Sequence, residues 1–173
     1  MFSRRLVWVL ALIGSCLLDP RSAAATNNLE VHDVNSRLLA AQNREREAAG
    51  VPPLQWSNDL ALEAEAWADE LSRSGEFRHA DQTVHGENLW AGSSGAFTPE
   101  RMIEGWVREK AVYRPGRFPE NSTTGNFADV GHYTQLMWRR TRHVGCAVKQ
   151  GRREDILVCR YAQAGNVVGE VPY

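Results

Sequence analysis

Gly131-His132-Tyr133-Thr134-Gln135-Leu136-Met137-Trp138 sets an imidazole directly against a dense patch of aromatic and apolar residues. Tyr133, Leu136 and Met137 follow the i, i+3, i+4 spacing of one helical turn, so the stretch predicts a short helix with His132 at its start and its apolar face turned inward. A histidine in that position needs a hydrogen-bond partner or a ligand. A polar group cut off from water without one costs about 1 to 3 kcal/mol. The stretch therefore supplies a fixed imidazole, and what it faces must come from elsewhere in the 173-residue chain.

Immediately downstream, Val144-Gly145-Cys146-Ala147-Val148 and Ile156-Leu157-Val158-Cys159-Arg160-Tyr161 flank a polar turn. A hairpin centred between Arg152 and Arg153 sets Cys146 opposite Cys159, with Val144, Cys146 and Val148 on one face beside Leu157, Cys159 and Tyr161. The pairing implies a disulfide, which at this loop size stabilises the fold by about 3 kcal/mol in the chain-entropy model. Neither thiol has a C-x-x-C partner that would point to redox chemistry.

The setting agrees with a disulfide. Arg4 and Arg5 precede an apolar run from Leu6 to Ile13, and Ser22-Ala23-Ala24-Ala25 supplies a small-residue cleavage site. Residues 1–25 thus read as a secretory signal peptide and 26–173 as one domain. The apolar run is too short to cross a bilayer core of about 30 Å, so no transmembrane span is expected. Leu12-Ile13-Gly14-Ser15-Cys16 also resembles a bacterial lipobox, and lipid anchoring through Cys16 is the alternative to simple export. Both readings place the domain in an oxidising compartment, extracellular or periplasmic.

The full chain has a formal charge of -1, and residues 1–25 carry Arg4, Arg5 and Arg21 against Asp19, so the mature domain is more acidic. That excludes the basic footprint nucleic-acid binding relies on. The run Arg139, Arg140, Arg142, His143 reads as a solvated turn.

Upstream, Val31, Val34, Leu38 and Ala41 recur at helical spacing over Val31 to Ala49, and Gly50 with Pro52-Pro53 stops that helix. Leu54 and Trp56 bring the chain in, Ser57 starts a second helix with face Leu60, Ala64, Trp67 and Leu71, and Gly75 closes it. Thr98-Pro99 caps a third helix with stripe Met102, Ile103, Trp106 and Val107. Residues 113–130 lack periodicity and read as a long structured loop, with a glycosylation sequon at Asn121-Ser122-Thr123. Residues 162–173 read as a terminal turn and tail.

His79, Glu87, Glu109 and His132 each stand beside aromatic or apolar neighbours, in four different elements. At these residues the chain resembles the CAP superfamily of cysteine-rich secretory, antigen-five and plant pathogenesis-related class-one proteins. Gly131-His132-Tyr133-Thr134-Gln135-Leu136-Met137-Trp138-Arg139-Arg140-Thr141 fits the family's first signature. Gly86-Glu87-Asn88-Leu89, Gly145-Cys146-Ala147, Cys159-Arg160-Tyr161 and Gly165-Asn166 follow in the expected order. The resemblance implies an α+β fold, an α-β-α sandwich around a small antiparallel sheet. It also implies a cleft where His79 and His132 take zinc or another divalent metal, with Glu87 and Glu109 behind them. Gln163 departs from the family's usual proline, and a single disulfide marks a minimal form. His85 reads as an exposed loop residue.

Function is then read in two ways. The first is a monomeric extracellular binding module for a lipid, sterol or protein partner, with metal in the cleft. The second is a zinc-dependent hydrolase or protease, with Glu87 or Glu109 as the candidate catalytic base, although two protein ligands are fewer than the three usual at catalytic zinc. A serine hydrolase built on Ser93 or Ser94 lacks a nucleophile-elbow pattern.

Overall fold

The structure, a computed structural model, describes residues 20–81 and 84–173, with side chains described from residue 33 onward. The first 19 residues of the expected signal peptide, Cys16 among them, lie outside the described residues. Helix α1 (Pro20–Ala48) begins earlier than the apolar spacing predicts and ends before Gly50, whose φ of 66° is the left-handed value that glycine adopts without a Cβ penalty. Strand β1 (Gln55–Trp56) leads into α2 (Asn58–Ser74), where the Ser57 hydroxyl accepts from Leu60 N–H and Gly75 closes the end. Strand β2 (Gly86–Ser93) precedes α3 (Pro99–Val107), capped by Thr98 as its sequence requires. The short helix α4 (Gly131–Leu136) forms where the opening stretch predicts it, and Tyr133, Leu136 and Met137 are all fully buried. Strands β3 (His143–Gln150) and β4 (Glu154–Ala162) complete the sheet.

The strand order is β1-β3-β4-β2. Three strands pair antiparallel, as expected, while the two-residue β1 runs parallel to the start of β3, pairing Gln55 with His143. The sheet is therefore mixed at one edge. The hairpin has the predicted register, with Cys146 opposite Cys159, Val144 opposite Tyr161 and Val148 opposite Leu157. The disulfide joins the two cysteines across a Cα separation of 4.1 Å.

Each face of the sheet buries a different set of side chains. On one face Leu38 and Ala41 of α1, Met102, Ile103 and Trp106 of α3, and Tyr133 and Leu136 of α4 pack against Val144, Cys146, Leu157, Cys159 and Tyr161. On the other, Ala64, Ala68 and Leu71 of α2 meet Leu89, Ile156 and Val158. Strand β4 is thus apolar at consecutive positions instead of alternating, because both of its faces are covered. The result is an α-β-α sandwich.

The 113–130 loop is structured, as expected, and the C-terminal segment is tied down more firmly than its composition predicts. Within the 113–130 loop Tyr113 bridges to Ser122, and Asn121 of the sequon is fully buried. The C-terminal segment is no loose tail. Arg139 N–H donates to the Pro172 carbonyl at 2.7 Å, Phe118 and the 169–170 turn exchange backbone hydrogen bonds of 2.8 Å, and Tyr173 stacks on Tyr113 and hydrogen-bonds Tyr133 at 2.9 Å.

Candidate functional site

His132 stands in the first turn of α4 with its backbone held from two sides. Asn88 Nδ2 donates to its carbonyl at 3.0 Å, and Asn166, at φ 54°, donates to the Gly131 carbonyl at 2.8 Å while accepting from Thr134 Oγ1 at 2.7 Å. The Gly165-Asn166 pair therefore pins the start of α4. The imidazole lies parallel to the Trp106 ring, 6.1 Å between centroids and 11° between planes. Its Nδ1 is 2.6 Å from Glu109 Oε1, and the other oxygen of that carboxylate accepts from Tyr133 N–H at 2.9 Å. Glu109 follows α3 in a 3-10 turn, Arg108–Val112, so its position beyond Trp106 places it against α4, as the buried stripe requires.

His79 repeats the arrangement from a different part of the chain. Its Nδ1 is 2.5 Å from Glu87 Oε1, which also accepts from Ala80 N–H at 3.2 Å. Glu87 Oε2 lies 3.1 Å from Arg160 Nη2. That pair is an ionic contact without hydrogen-bond alignment, and among the described residues Arg160 Nε and Nη1 have no hydrogen-bond partner. Both side chains are buried, at 6% and 4% exposure.

An ionised carboxylate only accepts, so the proton within each pair sits on Nδ1, and a neutral imidazole in that orientation has its lone pair on Nε2. A histidine oriented by a carboxylate at one nitrogen and open at the other is the usual form of a metal-binding histidine. The four sequence-predicted residues thus come together as two His–Glu pairs. Glu87 and Asn88 are consecutive in edge strand β2 and take opposite faces of the sheet, so the two pairs flank that edge: Glu87 with Arg160 on the α2 side, Asn88 with His132 on the side of α1, α3 and α4. Among the described residues no group of three or more His, Cys, Asp or Glu side chains is arranged to hold a metal ion.

Other candidates fall elsewhere. His85, expected as an exposed loop residue, is 24% exposed, with Nδ1 2.9 Å from Glu63 Oε2 of α2. The Ser94 hydroxyl donates to Asp155 Oδ1 at 2.8 Å, so it faces a buried carboxylate and no imidazole. Arg160 and Asn88 escaped the sequence reading. Their signal is the alternation within β4 and β2, legible only once Glu87 is known to pair with Arg160 and Asn88 with Cys159.

The profile of the Cysteine-rich secretory protein family, CAP, matches residues 39–161. Pathogenesis-related protein 1B of Nicotiana tabacum is 36% identical over 145 residues, covering 82% of this chain and 83% of the relative. Pathogenesis-related protein 1 of Arabidopsis thaliana is 33% identical over 173 residues, covering 99% and 97%. Among solved structures, the crystal structure of NaASP2 with Zn2+ superposes with a TM-score of 0.69 at 22% identity, covering 80% of this chain and 83% of that one, a likeness of fold.

Proposed function

Because the chain belongs to the cysteine-rich secretory protein family, we propose that it is an exported binding module whose His79 and His132 take a divalent metal, zinc foremost, beside a site for a lipid, sterol or extracellular protein. One observation carries the reading: both imidazoles engage a carboxylate through Nδ1, which turns Nε2 toward whatever ligand the site takes. The donor set suits zinc, for which neutral imidazole is a common ligand and a carboxylate behind it a common support. NaASP2, which shares the fold, was crystallised with Zn2+. When bound, such an ion supplies a fixed positive charge and open coordination positions.

The binding reading is favoured over hydrolysis by what the two glutamates already do. Glu109 is engaged by His132 and Tyr133 N–H, and Glu87 by His79, Ala80 N–H and Arg160. A general base needs a lone pair aimed at a water, whereas here one oxygen of each carboxylate is committed to an imidazole, and the other lies against Tyr133 N–H in Glu109 and is buried beside Arg160 in Glu87. Export agrees with the leader-like residues 1–25 and with the disulfide.

Calorimetric titration of the domain with Zn2+ tests the proposal. His79→Ala and His132→Ala each abolish measurable binding while the far-ultraviolet circular dichroism is kept. Glu87→Gln and Glu109→Gln weaken it about 10- to 100-fold, the usual cost of losing a supporting hydrogen bond. Unchanged affinity in both histidine variants refutes the site. Protons compete for the same nitrogens, so affinity falls as the pH is lowered.

A further inference from the structure

The turn between α4 and β3, which composition alone makes a solvated surface, borders with the end of β4 a shallow, open concavity of about 420 Å³ lined by Arg140, Arg142, His143, Ala162 and Gln163. Among the described residues no carboxylate lines it. In a chain with a net negative charge, four cationic or imidazole side chains, Arg139, Arg140, Arg142 and His143, gather within five positions. Among the described residues only Arg140 has an acidic partner, Glu170, whose two oxygens lie 3.0 and 3.1 Å from Nη1. Arg139 reaches the Gly50 carbonyl. The positive field of Arg142 and Arg139 extends inward to Arg46, where it adds to burial in lowering that guanidinium's pKa.

The backbone under these side chains is fixed. Arg142 N–H donates to the Ala162 carbonyl at 3.0 Å and its own carbonyl accepts from Gln55 N–H at 2.8 Å. His143 pairs with Gln55 on one side and Ala162 on the other. Thr141 Oγ1 donates to the Gln163 carbonyl at 2.7 Å and so ties down the floor. Two guanidiniums and an imidazole rooted on fixed backbone around one hollow are close enough to make charge-assisted hydrogen bonds to a common ligand, with the ordering of the exposed arginine side chains as the cost. Arginine forks match the edges of a tetrahedral oxyanion.

We infer that this hollow is a phosphate-group binding site formed by Arg140, Arg142 and His143, separate from the His79 and His132 pairs. The phosphate is that of a free small molecule or of an anionic lipid headgroup presented at a surface. The site requires no metal and makes no use of the residues proposed to hold one.

Amide chemical shifts followed during titration of the domain with inorganic phosphate distinguish the outcomes, with sodium chloride at matched ionic strength as the control. Saturable shifts at Arg142, His143 and Gln163, weakened about fivefold or more in Arg142→Gln and in Arg140→Gln, support a site for free phosphate. No response to phosphate but co-sedimentation with phosphatidylcholine vesicles containing phosphatidic acid, lost without that lipid and in Arg142→Gln, supports the headgroup. Silence in both arms, shifts reproduced by chloride, or binding unchanged in both variants overturns the inference. Arg142 and Arg140 are exposed, so thermal unfolding of the variants stays at the parent value.

Discussion

Arg46 is fully buried in α1, with no carboxylate partner among the described residues. Its guanidinium donates to the carbonyls of Pro52 at 2.8 Å, Leu136 at 2.7 Å, Trp138 at 3.0 Å and Thr141 at 3.0 Å. Burial lowers its pKa to about 10, so it stays cationic at neutral pH. One side chain therefore satisfies the end of α4 and the turn that follows, and so holds the segment that carries His132. Arg46→Ala strands these acceptors and opens a cavity, and is expected to destabilise the domain by about 3 to 5 kcal/mol in urea unfolding. Wild-type stability in this variant would show that water replaces the guanidinium. Arg46 stands eight positions after Leu38 and four after the buried Gln42, on one helical face, but its charge hides it from a reading based on apolar periodicity. Gln42 is equally concealed. Its Oε1 accepts from Tyr161 OH at 2.8 Å, within reach of the Asn88 amide that holds the His132 carbonyl.

Between elements, α2 lies close on β3 at Gly145. A Cβ on Gly145 would lie 2.2 Å from Ala61 N and 2.5 Å from the Leu60 carbonyl carbon and the Ser57 oxygen, all backbone atoms. Gly145→Ala must push the helix off the sheet. A loss of about 3 kcal/mol or more, or failure to fold, is expected, and unfolding within about 0.5 kcal/mol of the parent would contradict that packing. On the other face Arg37 of α1 clamps Glu100 of α3, with Nε and Nη2 at 2.8 and 2.9 Å from its two oxygens. The Arg37 hydrogen bonds hold the Glu100 carboxyl at about 2, below the usual 4.5. A carboxylate with a depressed folded-state pKa stabilises above its unfolded value, and the contribution is lost as pH falls through the folded one. The stability gap between the parent and Arg37→Ala is therefore expected to be constant at neutral pH and to close between about pH 4.5 and 2. Denaturant midpoints measured across that window test it, and a gap independent of pH would mean the pair contributes through packing alone.

Over the whole molecule, the hairpin disulfide belongs to the core that joins α1, α3 and α4 to the sheet. Replacing both cysteines by alanine is expected to cost about 3 kcal/mol, the chain-entropy value for so short a loop, read as a lower denaturant midpoint with the fold retained. No change in midpoint would assign the stability to packing alone. Much of this architecture was legible without coordinates. The caps of α2 and α3, the position of α4 and the register of the β3–β4 hairpin follow from spacing and turn chemistry within short windows, because those interactions are local, whereas the four residues of the His–Glu pairs were named through the family resemblance. The pairing of β2 with β4 was not legible, and with it the contact of Glu87 with Arg160. Nor was the docking of Tyr173 on Tyr113 and Tyr133, or the parallel edge made by β1. Amino-acid order alone determined which groups were available to form a site and which helices would carry them. Only the tertiary structure decided that Glu109 serves His132 and Glu87 serves His79, because those partners are chosen by proximity after the chain crosses the sheet, and neither spacing nor periodicity encodes a through-space distance.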